Sequence, residues 1–368
     1  MALKQTAKAP EPKPADEAVS AQVEPHGKGK AKMKVQDLLF ALNSVKPGLA
    51  TKDVIEQATH FVFTGSEVAT WNDRVCVSHK LDTPFYCSVV AEDLMAILRG
   101  MKEGDIEEMY LSPENQLVIQ SSYTAARLST MVSERRVEEA LASMKLDELE
   151  WKPIPQRFLS GLKLCQFSAS ADHTTQNLFC VYVEGMDILS SDGDRCSIYN
   201  MDEVMPEMLI PASTIKDLTG YNVTHYCVSD NWLHCKTAEN ATFSVKLGSG
   251  EFHDIRQYFE VEGEVAPLPI EVKDAVDSAT AMCEADSVKD LKLSVIITKD
   301  LVTIHAEKER GDITKKVPCK YDGPSLNFLV NPVFFSEVIG LSTEMTVGDG
   351  VCLFQSDNFR HVISLPVA

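Results

Sequence analysis

The chain has 368 residues, 44% hydrophobic and 24% charged, with a formal net charge of −19 at pH 7. That length suits two or three domains rather than one core, and the composition is that of a globular protein. No apolar run approaches the roughly 18 residues of a membrane span, and no apolar segment near the N-terminus reads as a secretion signal. The acidity argues against a surface that coats nucleic acid everywhere, yet it permits a local basic channel, because charge is screened within about 8 Å.

Residues 1–32 are rich in Ala, Pro, Lys, Glu and Gly and are read as a disordered tail, too poor in large apolar side chains to offset the entropy of ordering. Order is expected from about Met33. Leu38, Leu39, Leu42 and Val45 share a helical face that Pro47-Gly48 stops. The stretch from His60 to Leu81 alternates as three strands. A second helix carries Leu94, Ile97, Leu98 and Met101, and strands follow through Leu128. Glu134 to Glu150 reads as an exposed connector. A second unit repeats this order with a helix bearing Phe158, Leu159 and Leu162, then strands, then a helix entered at Ile210-Pro211. Val261 to Pro269 reads as the second connector. A third unit contains a hairpin around Lys299-Asp300 and closes on two strands from Val351 onward.

This order recurs in step. SVVAEDLMAILRGM from Ser88, EMLIPASTIKDLTG from Glu207 and NFLVNPVFFSEVIG from Asn327 each run from a strand into a helix, closing on Gly100, Gly220 and Gly340, spaced 120 and 120 residues apart. The units also end alike, at RLSTM from Arg127, SVKLG from Ser244 and VISLP from Val362. A fixed period of this kind sets the architecture before any local motif does. The expected fold class is α+β, in three tandem repeats over 33–149, 150–265 and 266–368.

Motifs for chemistry are absent. There is no phosphate-binding glycine loop, no HExxH and no nucleophile elbow. His225, Cys227, His234 and Cys235 are all possible zinc ligands, but on paired strands their side chains do not converge, and they read as ordinary strand positions. Asp192 and Asp194 flank Gly193 in a stretch that departs from a calcium loop after Arg195, so a strand-to-strand turn is expected. The ten cysteines include no CxxC pair and read as reduced thiols. No catalytic residue, metal or cofactor is expected.

Several stretches carry a resemblance: LLFALNSVKPGLATKD from Leu38, ILRGMKEG from Ile97, LSSDGDRCS from Leu189, LIPASTIKDL from Leu209, KLGSGEFHDIRQYF from Lys246 and FLVNPVFFSEVI from Phe328. In this order and spacing the chain, from about Met33 onward, resembles the bacterial β sliding clamp, the processivity factor of DNA polymerase III. The resemblance implies a homodimer closed into a six-domain ring, with inner helices and outer antiparallel sheets. Such a ring encircles duplex DNA without sequence preference and tethers the replicative polymerase and the clamp loader through short peptides. It also implies a non-enzymatic, cytoplasmic protein, bacterial or phage-encoded in a bacterial host. A clamp-like scaffold for transcription or repair factors is the alternative, and a metal-dependent hydrolase a remoter one.

By position, the DNA-lining residues implied are Lys46, Lys52, Arg99, Lys102, Arg157, Lys163 and Lys216. The third repeat departs, since its opening helix carries Glu271, Asp274 and Asp277 against Lys273. The implied peptide groove comprises Leu178, Ser191, Gly193, Arg195, Cys196, His253, Arg256, Gln257, Tyr258, Leu365, Pro366 and Val367. It departs at His253, where a proline is usual, at Cys196, where a larger aliphatic is usual, and at Leu365-Pro366-Val367, where methionines flank the proline.

Overall fold

The structure, a computed structural model, describes residues 29–52, 55–101, 104–172, 174–175 and 177–366. The expected tail therefore lies outside the described residues as far as residue 28. The first described strand, Ala31–Lys34, begins two residues before Met33 and pairs antiparallel with Asp105–Leu111, and Lys30 Nζ donates to Glu108 at 2.7 Å.

Seven α-helices are present among the described residues: α1 (Val35–Val45), α2 (Ala91–Gly100), α3 (Arg136–Ser143), α4 (Phe158–Cys165), α5 (Ala212–Leu218), α6 (Val272–Thr280) and α7 (Pro332–Val338). Each repeat supplies one pair, α1 with α2, α4 with α5 and α6 with α7. Helix α1 buries Val35, Leu38, Leu42 and Val45 because their spacing stacks them on one side, each large side chain worth about 1.5–3 kcal/mol. Helix α7 starts where Pro332 presets its first turn and the Asn331 side chain accepts hydrogen bonds from the Val333 and Phe334 amides at 3.0 and 3.2 Å. Of the three closing glycines, Gly340 takes a left-handed φ of 94°, where a β-carbon would be strained.

The sheets show the repetition most plainly. The first repeat has one sheet ordered Cys87–Val90, His60–Phe63, Glu67–Trp71, Val75–Lys80 and a second ordered Ala31–Lys34, Asp105–Leu111, Gln116–Gln120, Ala125–Ser129. The third repeat has the same two: Leu326–Val330, Leu293–Ile297, Leu301–Lys308, Gly311–Pro318, and Gly263–Pro267, Glu344–Gly348, Val351–Ser356, Phe359–Ser364. In the second repeat the long strands Cys180–Ser191 and Arg195–Pro211 replace four shorter ones, beside Lys152–Pro153, Val223–Ser229, Trp232–Thr237 and Ala241–Lys246.

Neighbouring repeats fuse edge to edge. Val75–Lys80 pairs with Ala241–Lys246, joining repeats one and two into an eight-stranded sheet, and Arg195–Tyr199 pairs with Phe359–Ile363, joining repeats two and three. Backbone hydrogen bonds thus continue from repeat to repeat, and one apolar core spans the first two repeats while a separate core fills the third.

Both connectors differ from expectation. Glu134 to Glu150 is not a merely exposed segment: it forms α3, whose Val137 is fully buried against Val62, Ala69 and Tyr86 on the outer sheet face. Its charged run hides one apolar anchor, which composition alone masks. Val261 to Pro269 contains the strand Gly263–Pro267, paired with Glu344–Gly348. That partner lies some eighty residues on, so nothing local in the sequence marks the strand.

Candidate functional site

Two surfaces concern function: the exposed helix faces and a groove between repeats two and three. The helices of each pair bury their apolar sides and expose the other. Lys46, Lys52, Arg99, Lys163 and Lys216 are exposed on or beside α1, α2, α4 and α5, and among the described residues none forms an ion pair. Arg157 is different: its guanidinium pairs with Asp202 at 2.6 Å, which ties up part of its charge. Lys102 lies outside the described residues.

In the third repeat, Asp274 and Asp277 stand on the exposed face of α6. Lys273, the basic residue of that helix, donates to the Ser336 carbonyl and hydroxyl at 2.9 and 2.7 Å and approaches Asp277 at 3.7 Å. It clamps α6 to α7 rather than projecting free charge. The acids therefore occupy the helix face equivalent to that of the lysines in the second repeat.

The groove has an apolar floor. Leu189, Cys196, Ile198, Leu353 and Val362 form one apolar cluster with Ile255 and Phe259, which stand on the segment just before the second connector. Next to them opens a cavity of about 400 Å³, of the size that admits a few side chains. Of the expected groove residues, Leu178, Ser191, Gly193, Arg195, Cys196, His253 and Tyr258 line it. Asp194, Ile255, Val351, Val362 and Ser364 also line it and were not anticipated. Apolar residues on both faces of the Val351 and Val362 strands were the signal available, since a strand with one solvated face alternates.

Arg256 and Gln257 flank the cavity on the short helical turn Arg256–Phe259 without lining it. Leu365 packs on the core of the third repeat, its amide donating to the Gly350 carbonyl at 2.8 Å, and Pro366 lines a smaller neighbouring cavity with Asp194 and Phe334. Val367 lies outside the described residues.

The electrostatics of the groove are settled beneath its surface. Arg195 is buried: its Nε donates to Asp192 Oδ2 at 3.0 Å, another nitrogen meets Glu337 on α7, and its guanidinium lies 4.0 Å from the Phe334 ring centre. The Arg195 and Asp194 amides also donate to Asp192 Oδ1, both at 3.1 Å. The Asp192 carboxylate is thus consumed inside its own turn, which takes the place of any cation site there. Arg256 sits among Glu184, Asp187 and Asp254 at 2.8, 3.1 and 3.1 Å. Burial pushes the Cys196 thiol up to about 12, so it is an inert apolar wall.

Of the residues weighed as zinc ligands, both histidines are engaged by hydroxyls, His225 through Nδ1 with Thr224 at 3.1 Å. His234 is fully buried, hydrogen-bonded through Nε2 to Ser229 and through Nδ1 to Ser244, both at 2.8 Å, and no metal-binding cluster exists among the described residues. Below the groove, His361 is also fully buried, with Nδ1 at 2.8 Å from Ser197 Oγ and Nε2 without a partner.

Burial pushes His234 down to about 4, and burial together with the Arg195 charge pushes His361 down to about 3. Both imidazoles are neutral in the folded protein, whereas the unfolded chain takes up protons near pH 6.5. The unfolded state therefore binds more protons between about pH 6.5 and 4, and stability falls as pH drops through that window, by up to about 1.4 kcal/mol per pH unit for each group. His361→Phe is expected to flatten this limb in urea titrations at pH 7, 5.5 and 4.5. An unchanged dependence would place the titration elsewhere.

Fused sheets, three repeats and an interdomain groove define the class of fold: that of the DNA sliding clamps. The solved structures agree. The chain superposes on the Caulobacter crescentus beta sliding clamp with a TM-score of 0.79 at 17% identity, over 93% of this chain and 100% of that one. It superposes on the DNA polymerase III subunit beta of Pseudomonas aeruginosa with a TM-score of 0.76 at 16% identity, over 92% and 100%. No protein-family profile and no curated relative matches the sequence. The fold is therefore that of the polymerase III β clamp, carried by a divergent sequence.

Proposed function

We propose that two copies of this chain close head to tail into a ring around duplex DNA and tether a replicative polymerase and its loader through short peptides, without catalysis. The observation that carries this reading is a matched pair of open edges. Within the chain, the last strand of one sheet joins the last strand of the next repeat's other sheet, as Val75–Lys80 joins Ala241–Lys246. By the same rule Gly311–Pro318 and Ala125–Ser129 lack partners on their outer sides among the described residues. Supplied by a second copy, each would satisfy the other. A heterologous contact between two such chains that closes makes a ring of six repeats, and pairing these edges removes their aggregation hazard.

The helix faces would then line the hole. Exposed Lys46, Lys52, Arg99, Lys163 and Lys216 suit phosphates, which position a protein without specifying sequence. The acidic α6 face leaves the third repeat as a gap in that lining. Retention on nicked circular DNA, with release when the circle is linearised, tests the topological attachment; equal release from both forms would sink it. Lys163→Glu with Lys216→Glu is expected to weaken binding to duplex DNA. It should also reduce the slope of log affinity against log salt by about 0.9 for each lost phosphate contact. An unchanged slope would show that these lysines do not meet DNA. The groove is read as the peptide site; the C. crescentus clamp carries polyethylene glycol in a region described there as a candidate for beta-motif tethering.

A further inference from the structure

We infer that the groove between repeats two and three takes an apolar segment flanked by Lys or Arg, and discriminates against one flanked by Asp or Glu. This rests on reading the groove as a peptide site and adds the charge of its occupant. The floor supplies apolar contact through Val362, Val351 and Cys196, which fixes the anchor as apolar but leaves its flanks open.

Three of the cations that could receive an acidic flank are already held by carboxylates, and a fourth, Arg360, stacks over the Phe259 ring at 5.3 Å. Arg195 has 8% of its side chain exposed and is held by Asp192 and Glu337. Arg256 meets Glu184, Asp187 and Asp254 together. Lys289, in the smaller neighbouring cavity, pairs with Asp194 at 2.9 Å and donates to the Asp192 carbonyl at 3.2 Å. Carboxylates outnumber cations along the segment that carries Arg256, where Glu251, Asp254, Glu260 and Glu262 are all exposed. An incoming carboxylate would have to displace one of these and strand it, whereas an incoming guanidinium or ammonium joins carboxylates already in place.

The ring of Tyr258 gives an independent reason. It is half exposed at the cavity wall, and among the described residues no cation lies over its face, although Arg and Lys cover Phe259 and Phe334 nearby and Tyr86, Tyr110 and Trp151 elsewhere. An open aromatic face beside carboxylates suits a positively charged side chain.

Fluorescence anisotropy with three labelled synthetic decapeptides tests this on the full-length protein. All share a central frame; one has Leu-Phe flanked by arginines, one Leu-Phe flanked by glutamates, and one Ala-Ala flanked by arginines. The arginine-flanked Leu-Phe peptide is expected to bind about tenfold tighter than the glutamate form at 50 mM salt, with the gap narrowing at 500 mM. The Ala-Ala peptide is expected to bind far more weakly than its Leu-Phe counterpart. Glu184→Gln with Asp254→Asn, both at exposed positions, should bring the two Leu-Phe peptides together. Equal or reversed affinities of those two overturn the charge inference and leave the groove standing. If the Ala-Ala peptide binds as well as its Leu-Phe twin, or none binds, the groove reading falls and the inference with it.

Discussion

Replacing Ile313 or Leu128 by aspartate is expected to turn the dimer into monomers, raising its dissociation constant at least about a hundredfold, or ~2.7 kcal/mol. The register follows from the internal junctions. Val75 faces Val245 where repeats one and two join. In the first repeat Phe63 pairs with Val68 and Trp71 with Cys76; in the third, Ile297 pairs with Val302 and His305 with Thr314. Cys76 thus corresponds to Thr314 and Val75 to Ile313, while Leu128 corresponds to Val245 at the end of each unit. Ile313 and Leu128 are both half-buried aliphatics on open edges, and the transferred register sets them opposite each other.

An aspartate at either place would bury an unpaired carboxylate, which costs several kcal/mol. Val265→Asp, at an exposed position of another edge strand that the transferred register leaves outside the junction, serves as the control and should leave the assembly intact. Sedimentation velocity at micromolar concentration reads all three variants. Dimeric L128D and I313D proteins would move the interface to another surface, and a monomeric wild type would remove the ring.

Arg195→Ala is expected to cost about 3–5 kcal/mol of stability at the junction of repeats two and three. The side chains of Arg195 and Asp192 are 8% and 5% exposed, so truncating the arginine strands a carboxylate in an apolar setting beside Phe334. It also cuts the tie from the groove turn to Glu337 on α7. Replacing both partners, as in Asp192→Asn with Arg195→Met, removes the stranded charge and should recover much of the loss. Urea titration of the single and double variants separates these outcomes. A loss below about 1 kcal/mol for the single variant would mean that water reaches the pair as it does at a surface.

Much of this molecule was legible because its information is periodic. The stretch from His60 to Leu81 alternates, and the strands His60–Phe63, Glu67–Trp71 and Val75–Lys80 follow that alternation. The apolar stripe of Leu38, Leu42 and Val45 became the buried face of α1. The hairpin at Lys299-Asp300 formed where two β-rich runs meet a polar turn. Spacing repeated across the chain turned these local readings into three copies of one unit. α3 and the strand Gly263–Pro267 escaped because their anchors are distant: Val137 reaches back to Val62, and Val265 pairs with Thr346.

The sequence by itself thus determined the repeat, the α+β class and the helix faces, since all of these follow from side-chain order along one chain. Only the tertiary structure decided what the charged residues do. It turned Lys273 into a clamp between α6 and α7, tied Arg157 to Asp202, sank Arg195 beneath the groove and ringed Arg256 with carboxylates. The physical reason is range: hydrophobic periodicity is written among neighbours three or four residues apart, whereas the partner of a charge is whichever opposite charge the fold brings within a few ångströms.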